Sequence, residues 1–281
     1  MEAFARWILQ VGEGEVQDIS ISNDGEPDWI KIPHEFLILN DEDGVQNLIA
    51  TVYLNLVTKY TDWLYLRERG ILAPTNDDVD EINSIMLSMI PGDVKTYMSC
   101  DTLSNSNDGG AFSDMKPPEL LHSLKISGLP NHSLELKIGA PVILLRKLNQ
   151  SIGLCNGTRL VVTKMGDRVV QAKVISGSKV GDTVLIPRID LTPSNLPDLQ
   201  IRRRQFPLKL AFAMTIYKSQ GQTLNKVGVY LPRPVFTHRQ LYVALSRVSS
   251  SSGLKVLICN RRGVPMDVTK NVVYKDVLCQ L

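Results

Sequence analysis

The sequence predicts an α/β fold interrupted by a small β-barrel. Three observations predict it. Short apolar runs at Ile71–Ala73, Leu210–Met214, Val227–Leu231 and Gly253–Cys259 read as buried strands. Between them lie stretches with apolar residues at helical spacing, such as Val79, Ile82, Met86 and Met89. From Gly139 to Leu191 the periodicity then becomes strand-like, with tight-turn signals at Asn156-Gly157, Gly166-Asp167 and Ser176-Gly-Ser. Runs at Pro141–Arg146, Thr158–Lys164, Arg168–Ile175 and Asp182–Leu191 would be the strands of the barrel. The domain boundaries that follow are 1–138 for the first part of an α/β domain, 139–194 for the barrel and 195–281 for the second part.

In chain order, Glu2–Val11 predicts an amphipathic helix carrying Phe4, Trp7, Ile8 and Val11 on one face, ended by Gly12 and Gly14. It has no preceding cap, as though the chain began inside a larger domain. Asp18–Asp28 is polar, with a turn signal at Asn23-Asp-Gly. Ile32–Leu39 is an apolar run followed by Asp41 and Glu42, which imitates a strand ending in Mg²⁺ carboxylates; a structural segment is the preferred reading. Leu48–Leu56 reads as a helix. After Ile71–Ala73, Thr75 can cap the next helix with Asp78 at the reciprocal position. Residues 99–116 read as an exposed connection, and Glu119–Leu124 as a short helix.

The stretch 211–247, AFAMTIYKSQGQTLNKVGVYLPRPVFTHRQLYVALSR, concentrates the chemistry. A buried strand runs into Thr215-Ile-Tyr-Lys-Ser-Gln-Gly-Gln-Thr223, a turn dense in hydrogen-bond donors that suits a phosphate or a nucleic-acid backbone. After Pro232 and Pro234, Thr237 and Gln240 form a capping box for a helix whose inner face is Leu241, Ala244, Leu245 and Val248. Arg247 falls in its last turn, where a cation suits the helix dipole whatever else it does.

The formal net charge of +2 conceals an asymmetry. Residues 1–138 hold nine basic and 23 acidic side chains, and residues 139–281 hold 22 basic and six acidic. Between Asp198 and Asp267 there is no acid, while twelve Lys or Arg fall there. Such a stretch is either a solvated face or a polyanion-binding one. Cys100, Cys155, Cys259 and Cys279 stand apart, with no CxxC pair, which argues for a reducing compartment and against zinc or disulfides. No apolar run approaches a membrane span and no signal peptide is visible, so neither membrane association nor secretion is expected.

AMTIYKSQGQT followed by QLYVALSRV resembles the fifth and sixth motifs of superfamily-one DNA helicases of the PIF and RecD-like kind. ILAPTNDDVDEIN, LELKIGAPVILLRKLN and GLCNGTRLVV are similar to further signatures of that family, in its order, with eukaryotic and Helitron-type members the nearest likeness. The resemblance implies a RecA-like second motor domain with a parallel central sheet and an inserted SH3-like barrel. It implies that Arg247 is an arginine finger on the ATP γ-phosphate and that Gln220, Gly221 and Gln222 border the nucleotide. Thr215, Tyr217, Lys218 and Ser219 would lie along single-stranded DNA, with Thr75 and Asn76 on a neighbouring phosphate. Many members have His where this sequence has Tyr217. ATP and Mg²⁺ are the implied cofactors, with no metal ligand in this chain. The implied partner is single-stranded DNA or a duplex junction, engaged by a monomer in the nucleus or, alternatively, the mitochondrion.

The phosphate loop G-x-x-x-x-G-K-[ST] is absent, since the sequence contains no Gly-Lys dipeptide. The expectation is therefore the C-terminal part of an ATP-dependent 5′-to-3′ DNA helicase, with roles in repair, recombination and telomere maintenance by family resemblance. It would be inactive as an ATPase alone. The alternatives are a non-catalytic single-stranded-DNA-binding module and a non-functional truncated product.

Overall fold

A computed structural model describes residues 2–16, 29–39, 43–103, 118–193, 201–260 and 263–274. Asp41, Glu42, the Asn23 turn and most of the 99–116 connection lie outside the described residues. The chain divides into two compact units. The first comprises Met1–Lys59, Leu64–Met89 and Phe212–Leu281, and the second comprises Tyr60–Trp63 and Ile90–Ala211.

The first unit is built on a five-stranded sheet. Its order is Ala213–Thr215, Arg69–Ala73, Lys226–Leu231, Leu254–Cys259 and Pro265–Met266. The first four strands are parallel neighbours, and the last is antiparallel. Both faces are covered, which is why these strands are near-continuous apolar runs rather than alternating ones. On one face Leu72, Met214, Val229 and Val256 pack with Ile8, Val11, Leu241 and Leu245. The opposite face carries the Gly44–Val52 helix, which approaches so closely that a Cβ on Gly228 would stand 2.8 Å from Val52.

The N-terminal helix extends to Glu13, with Gly12 inside it rather than ending it. A Cβ on Gly12 would come within 2.7 Å of the Tyr242 ring, so that glycine permits the contact between this helix and Gln240–Leu245. Gly14, at φ +70°, provides the left-handed stop. The apolar run at Ile32–Leu39 is not a long strand. It holds a single turn at His34–Phe36, and Leu37 and Ile38 then lie beside Val256. Pro33 and the preceding strand end at Lys31 explain the break.

The second unit contains a five-stranded antiparallel sheet in the order Leu208–Leu210, Pro141–Leu144, Arg159–Met165, Val169–Val174 and Thr183–Pro187. Its core includes Tyr97, Leu136, Val142, Leu160, Val170 and Phe206. Two smaller sheets complete the unit. Lys95–Met98 pairs with Ser133–Leu136, and Ile201–Gln205 lies between Ile189–Leu191 and Cys100–Leu103. The unit therefore extends beyond 139–194 on both sides. The run read as one strand at Leu210–Met214 is divided between the units. Leu208–Leu210 pairs with Pro141–Leu144, and Ala213–Thr215 pairs with Arg69–Ala73.

Candidate nucleotide and nucleic-acid interface

Because Ala213–Thr215 and Arg69–Ala73 are parallel neighbours, with Thr215 opposite Ala73, both end at the same edge of the sheet. The segments that leave them carry the two groups of residues singled out above. Open α/β sheets bind ligands at the carboxyl ends of their strands.

From Ala73 the chain passes through Pro74 and Thr75 into the Asn76–Met89 helix. The Thr75 hydroxyl donates to Asp78 Oδ2, and the Asp78 amide donates back to Thr75 Oγ at 3.4 Å. Thr75 is half-buried and Asn76 is exposed at the first turn. Two turns further into the helix, Asn83 is buried and its amide binds both the N–H (2.9 Å) and the carbonyl (3.0 Å) of Ala213. That ties the helix directly to the outermost strand.

From Thr215 the chain makes a single turn of 3-10 helix over Ile216–Ser219. Tyr217 is exposed, and its hydroxyl meets that of Thr237. Lys218 is half-buried. Ser219 corrects the expectation of a backbone ligand: it is fully buried, and its hydroxyl donates to the Ile216 carbonyl at 2.6 Å. It holds the turn rather than facing outward. Gln220 and Gly221 are exposed, and Gly221 has φ +75° with nothing near the position of a Cβ. Gln222 folds back, its side-chain amide donating to the Lys218 carbonyl at 3.2 Å.

The helix preceding Arg247 is shorter than expected, spanning Gln240–Leu245. Thr237 does not cap it, since its hydroxyl is engaged by Tyr217. Arg239, in the left-handed conformation at φ +56°, occupies the cap position without a side-chain cap. Gln240 does not complete the box either, because its side chain accepts from the Phe236 N–H at 3.0 Å and not from that of Thr237. Arg247 consequently stands past the helix end rather than in its last turn. Its guanidinium donates to the Val243 carbonyl (2.9 Å), the Ser246 hydroxyl (2.8 Å) and the Gln222 carbonyl (3.4 Å). Its own carbonyl accepts from the Leu224 amide at 2.9 Å. The Gln220–Gln222 turn and Arg247 are thus one hydrogen-bonded assembly.

This geometry suits a phosphate chemically. Arg247 is half-buried, every acceptor it meets is neutral, and no carboxylate among the described residues forms an ion pair with it. A guanidinium in that state keeps its full charge for an anion. The open backbone at Gly221 leaves room for close approach. Mg²⁺ fits less well, because Asp78 is already engaged by Thr75 and by Arg233 at 3.3 Å.

The basic triplet Arg202-Arg-Arg204 is not a patch. It lies on a strand, where alternate side chains take opposite faces. Arg202 and Arg204 flank Asp190 at 3.9 and 3.8 Å. Arg203 is fully buried, paired with Asp101 through bonds of 2.8 to 3.2 Å. It also donates to the carbonyls of Leu121, Leu124 and Pro130.

Asp101, His122 and His132 form a cluster that no spacing in the sequence announces, with candidate ligand atoms all within 4.8 Å. The two imidazoles stack with centroids 3.7 Å apart. Burial, reinforced by the neighbouring His122, holds the His132 pKa below its ordinary value. A divalent ion fits poorly there, because Asp101 is already neutralised by Arg203 and further bonded by Ser99 at 2.7 Å.

Comparison with known proteins came to the same family as the motifs. A profile for the family described as DNA helicase Pif1, 2B domain, matches residues 119–165. The ATP-dependent DNA helicase PIF1 of Danio rerio is 33% identical over 214 residues, covering 73% of this chain and 30% of that protein. The Homo sapiens protein of the same name is 37% identical over 191 residues, covering 66% of this chain and 26% of that protein. The chain thus spans less than a third of the length of these relatives. Among solved structures, the Pif1 helicase from Candida albicans aligns with 100% of this chain and 57% of its own, at a TM-score of 0.59 and 25% identity. A Bacteroides Pif1 helicase in complex with ADP-AlF3 and ssDNA shares the fold at a TM-score of 0.60 and 20% identity, over 100% of this chain and 53% of that one.

Proposed function

We infer that this chain, a relative of the Pif1 DNA helicases, serves as the second motor portion of an ATP-dependent DNA helicase. On this reading the first unit is a RecA-like domain with a parallel central sheet, and the antiparallel sheet of the second is its SH3-like insert. The observation that carries the reading is the convergence of Thr75–Asn76 and Thr215–Lys218 at the ends of adjacent parallel strands. Lys218 and Asn76 would lie along a single strand of DNA, with Tyr217 beside a base or sugar. Arg247 would donate to the γ-phosphate of ATP, held in place by the Gln222 and Val243 carbonyls, while Gly221 lets the backbone approach.

An arginine finger is worth roughly 10³ to 10⁵ in rate, but only where the phosphates are already held. This sequence contains no phosphate loop. The isolated chain is therefore expected to bind single-stranded DNA without hydrolysing ATP. Expected affinity is in the non-specific range, roughly 10⁻⁴ to 10⁻⁶ M, and independent of base sequence.

ATP hydrolysis by the chain with and without single-stranded DNA tests the first half: background turnover is expected, and turnover that disappears in Arg247→Ala would refute it. Fluorescence anisotropy on a labelled single strand tests the second. Lys218→Ala should weaken binding to all sequences alike, and binding indifferent to salt would place the DNA path elsewhere. The 5′-to-3′ direction, a monomeric state, a nuclear or mitochondrial location and roles in repair, recombination and telomere maintenance follow from kinship alone. Strand-displacement polarity in a protein carrying both motor domains, sedimentation, and imaging of a tagged chain test the first three; recombination and telomere-length assays after loss of the gene test the roles.

A further inference from the structure

The Lys226–Leu231 strand lies on the other side of Arg69–Ala73, parallel to it, so it too ends at the candidate edge. Just beyond it stands Arg233. Its Nη2 is 3.3 Å from Asp78 Oδ1; the Asp78 side chain is 6% exposed and that of Arg233 60%. The second oxygen of Asp78 accepts the Thr75 hydroxyl proton.

Two physical consequences follow. A threonine has one O–H to give. That of Thr75 goes to Asp78, so no proton remains on it for a phosphate oxygen. A carboxylate at this place also opposes an approaching anion, and charges interact more strongly where water is thin. Arg233 is the cation set against that carboxylate. One of its five N–H donors points at Asp78, and the exposure of the side chain leaves the rest of the planar fork able to reach outward.

We propose that Arg233 is a phosphodiester-binding residue, bridging Asp78 and the backbone of a single strand of nucleic acid at the end of the third strand. Thr75 then acts as a positioning residue, holding Asp78 and through it Arg233. The proposal rests on this edge being the nucleic-acid path. It adds a donor that neither of the recognised motifs contains.

The test uses the full chain and a fluorescein-labelled oligothymidylate, with anisotropy followed across a KCl series. Arg233→Gln keeps a polar donor for Asp78 while removing the charge, and far-UV circular dichroism checks that it folds. It should bind about threefold more weakly at low salt, as for one exposed ionic contact. The slope of log affinity against log salt should flatten by about 0.7, the value for one phosphate on a single strand. Arg233→Lys should restore the slope, and Thr75→Val should weaken binding in the parent but add nothing further in the Arg233→Gln background, as for a residue that acts through Arg233. A parental slope in Arg233→Gln, with a flatter one in Lys218→Ala, would overturn this proposal and leave the edge as the path. No salt-dependent binding by the parent would overturn both.

Discussion

Arg203 and Arg247 come from the same acid-free stretch of sequence, and the fold gives them opposite fates. Arg203 is fully buried against Asp101, with three backbone carbonyls taking its remaining donors. Arg247 is half-buried, meets only neutral acceptors and keeps its charge. A run of positive charge in a sequence therefore says little until each cation is matched to its acceptors. The first arginine organises the second unit around itself, and the second is available to an anion.

The comparison is broken most forcefully at Arg203. Arg203→Ala leaves Asp101 buried without its counterion, which typically costs about 3 to 5 kcal/mol. Urea unfolding should show a loss of that order, and a loss below about 1 kcal/mol would mean that the pair contributes little.

Acid titration sharpens it at intermediate size. Burial pushes the Asp101 carboxyl up, but bonds from Arg203 and Ser99 outweigh that and hold it below its ordinary value. Its stabilisation is thus complete above the usual carboxylate range and is lost as pH falls through the depressed folded-state value. Stability followed from pH 7 to below about 4 should fall more steeply in the parent than in Asp101→Asn. Parallel curves would contradict the assignment. The smallest effect belongs to Arg247→Ala, which removes hydrogen bonds to neutral acceptors without stranding a buried charge and should cost about 1 kcal/mol of unfolding stability. A larger loss would show Arg247 to be structural, like Arg203.

Much of the parallel sheet is legible in the sequence because its strands are short apolar runs, and the Asn76–Met89 helix because its apolar residues recur at helical spacing. Val79, Ile82 and Met86 are buried where the spacing puts them, whereas Met89, the last of the series and the last residue of the helix, is exposed. The convergence of Thr75 and Lys218 is legible too, since it needs only that their strands be neighbours. What the sequence hides is the third dimension of polar residues. Ser219 sits in a donor-rich turn like its neighbours, and only the tightness of that turn directs its hydroxyl inward. Arg203 differs from Arg202 and Arg204 solely by strand alternation, whose phase is invisible without knowing which face is covered. Thr237 and Gln240 satisfy the spacing of a capping box, but Tyr217, distant in sequence, claims the threonine. The division between units falls inside one apolar run for the same reason, because two sheets want the same kind of residue.

The Asn83 amide has a consequence for how the protein meets other chains. Ala213–Thr215 is the outermost strand of its sheet, and an outer strand ordinarily offers unpaired N–H and C=O groups to any extended peptide that drifts past. Asn83 answers both groups of Ala213 as a neighbouring backbone would. One primary amide thereby stands in for a missing strand at the residue where the sheet is most open to unwanted company. The segment that leads to Lys218 is guarded against aggregation at its base while its far end stays open to a ligand.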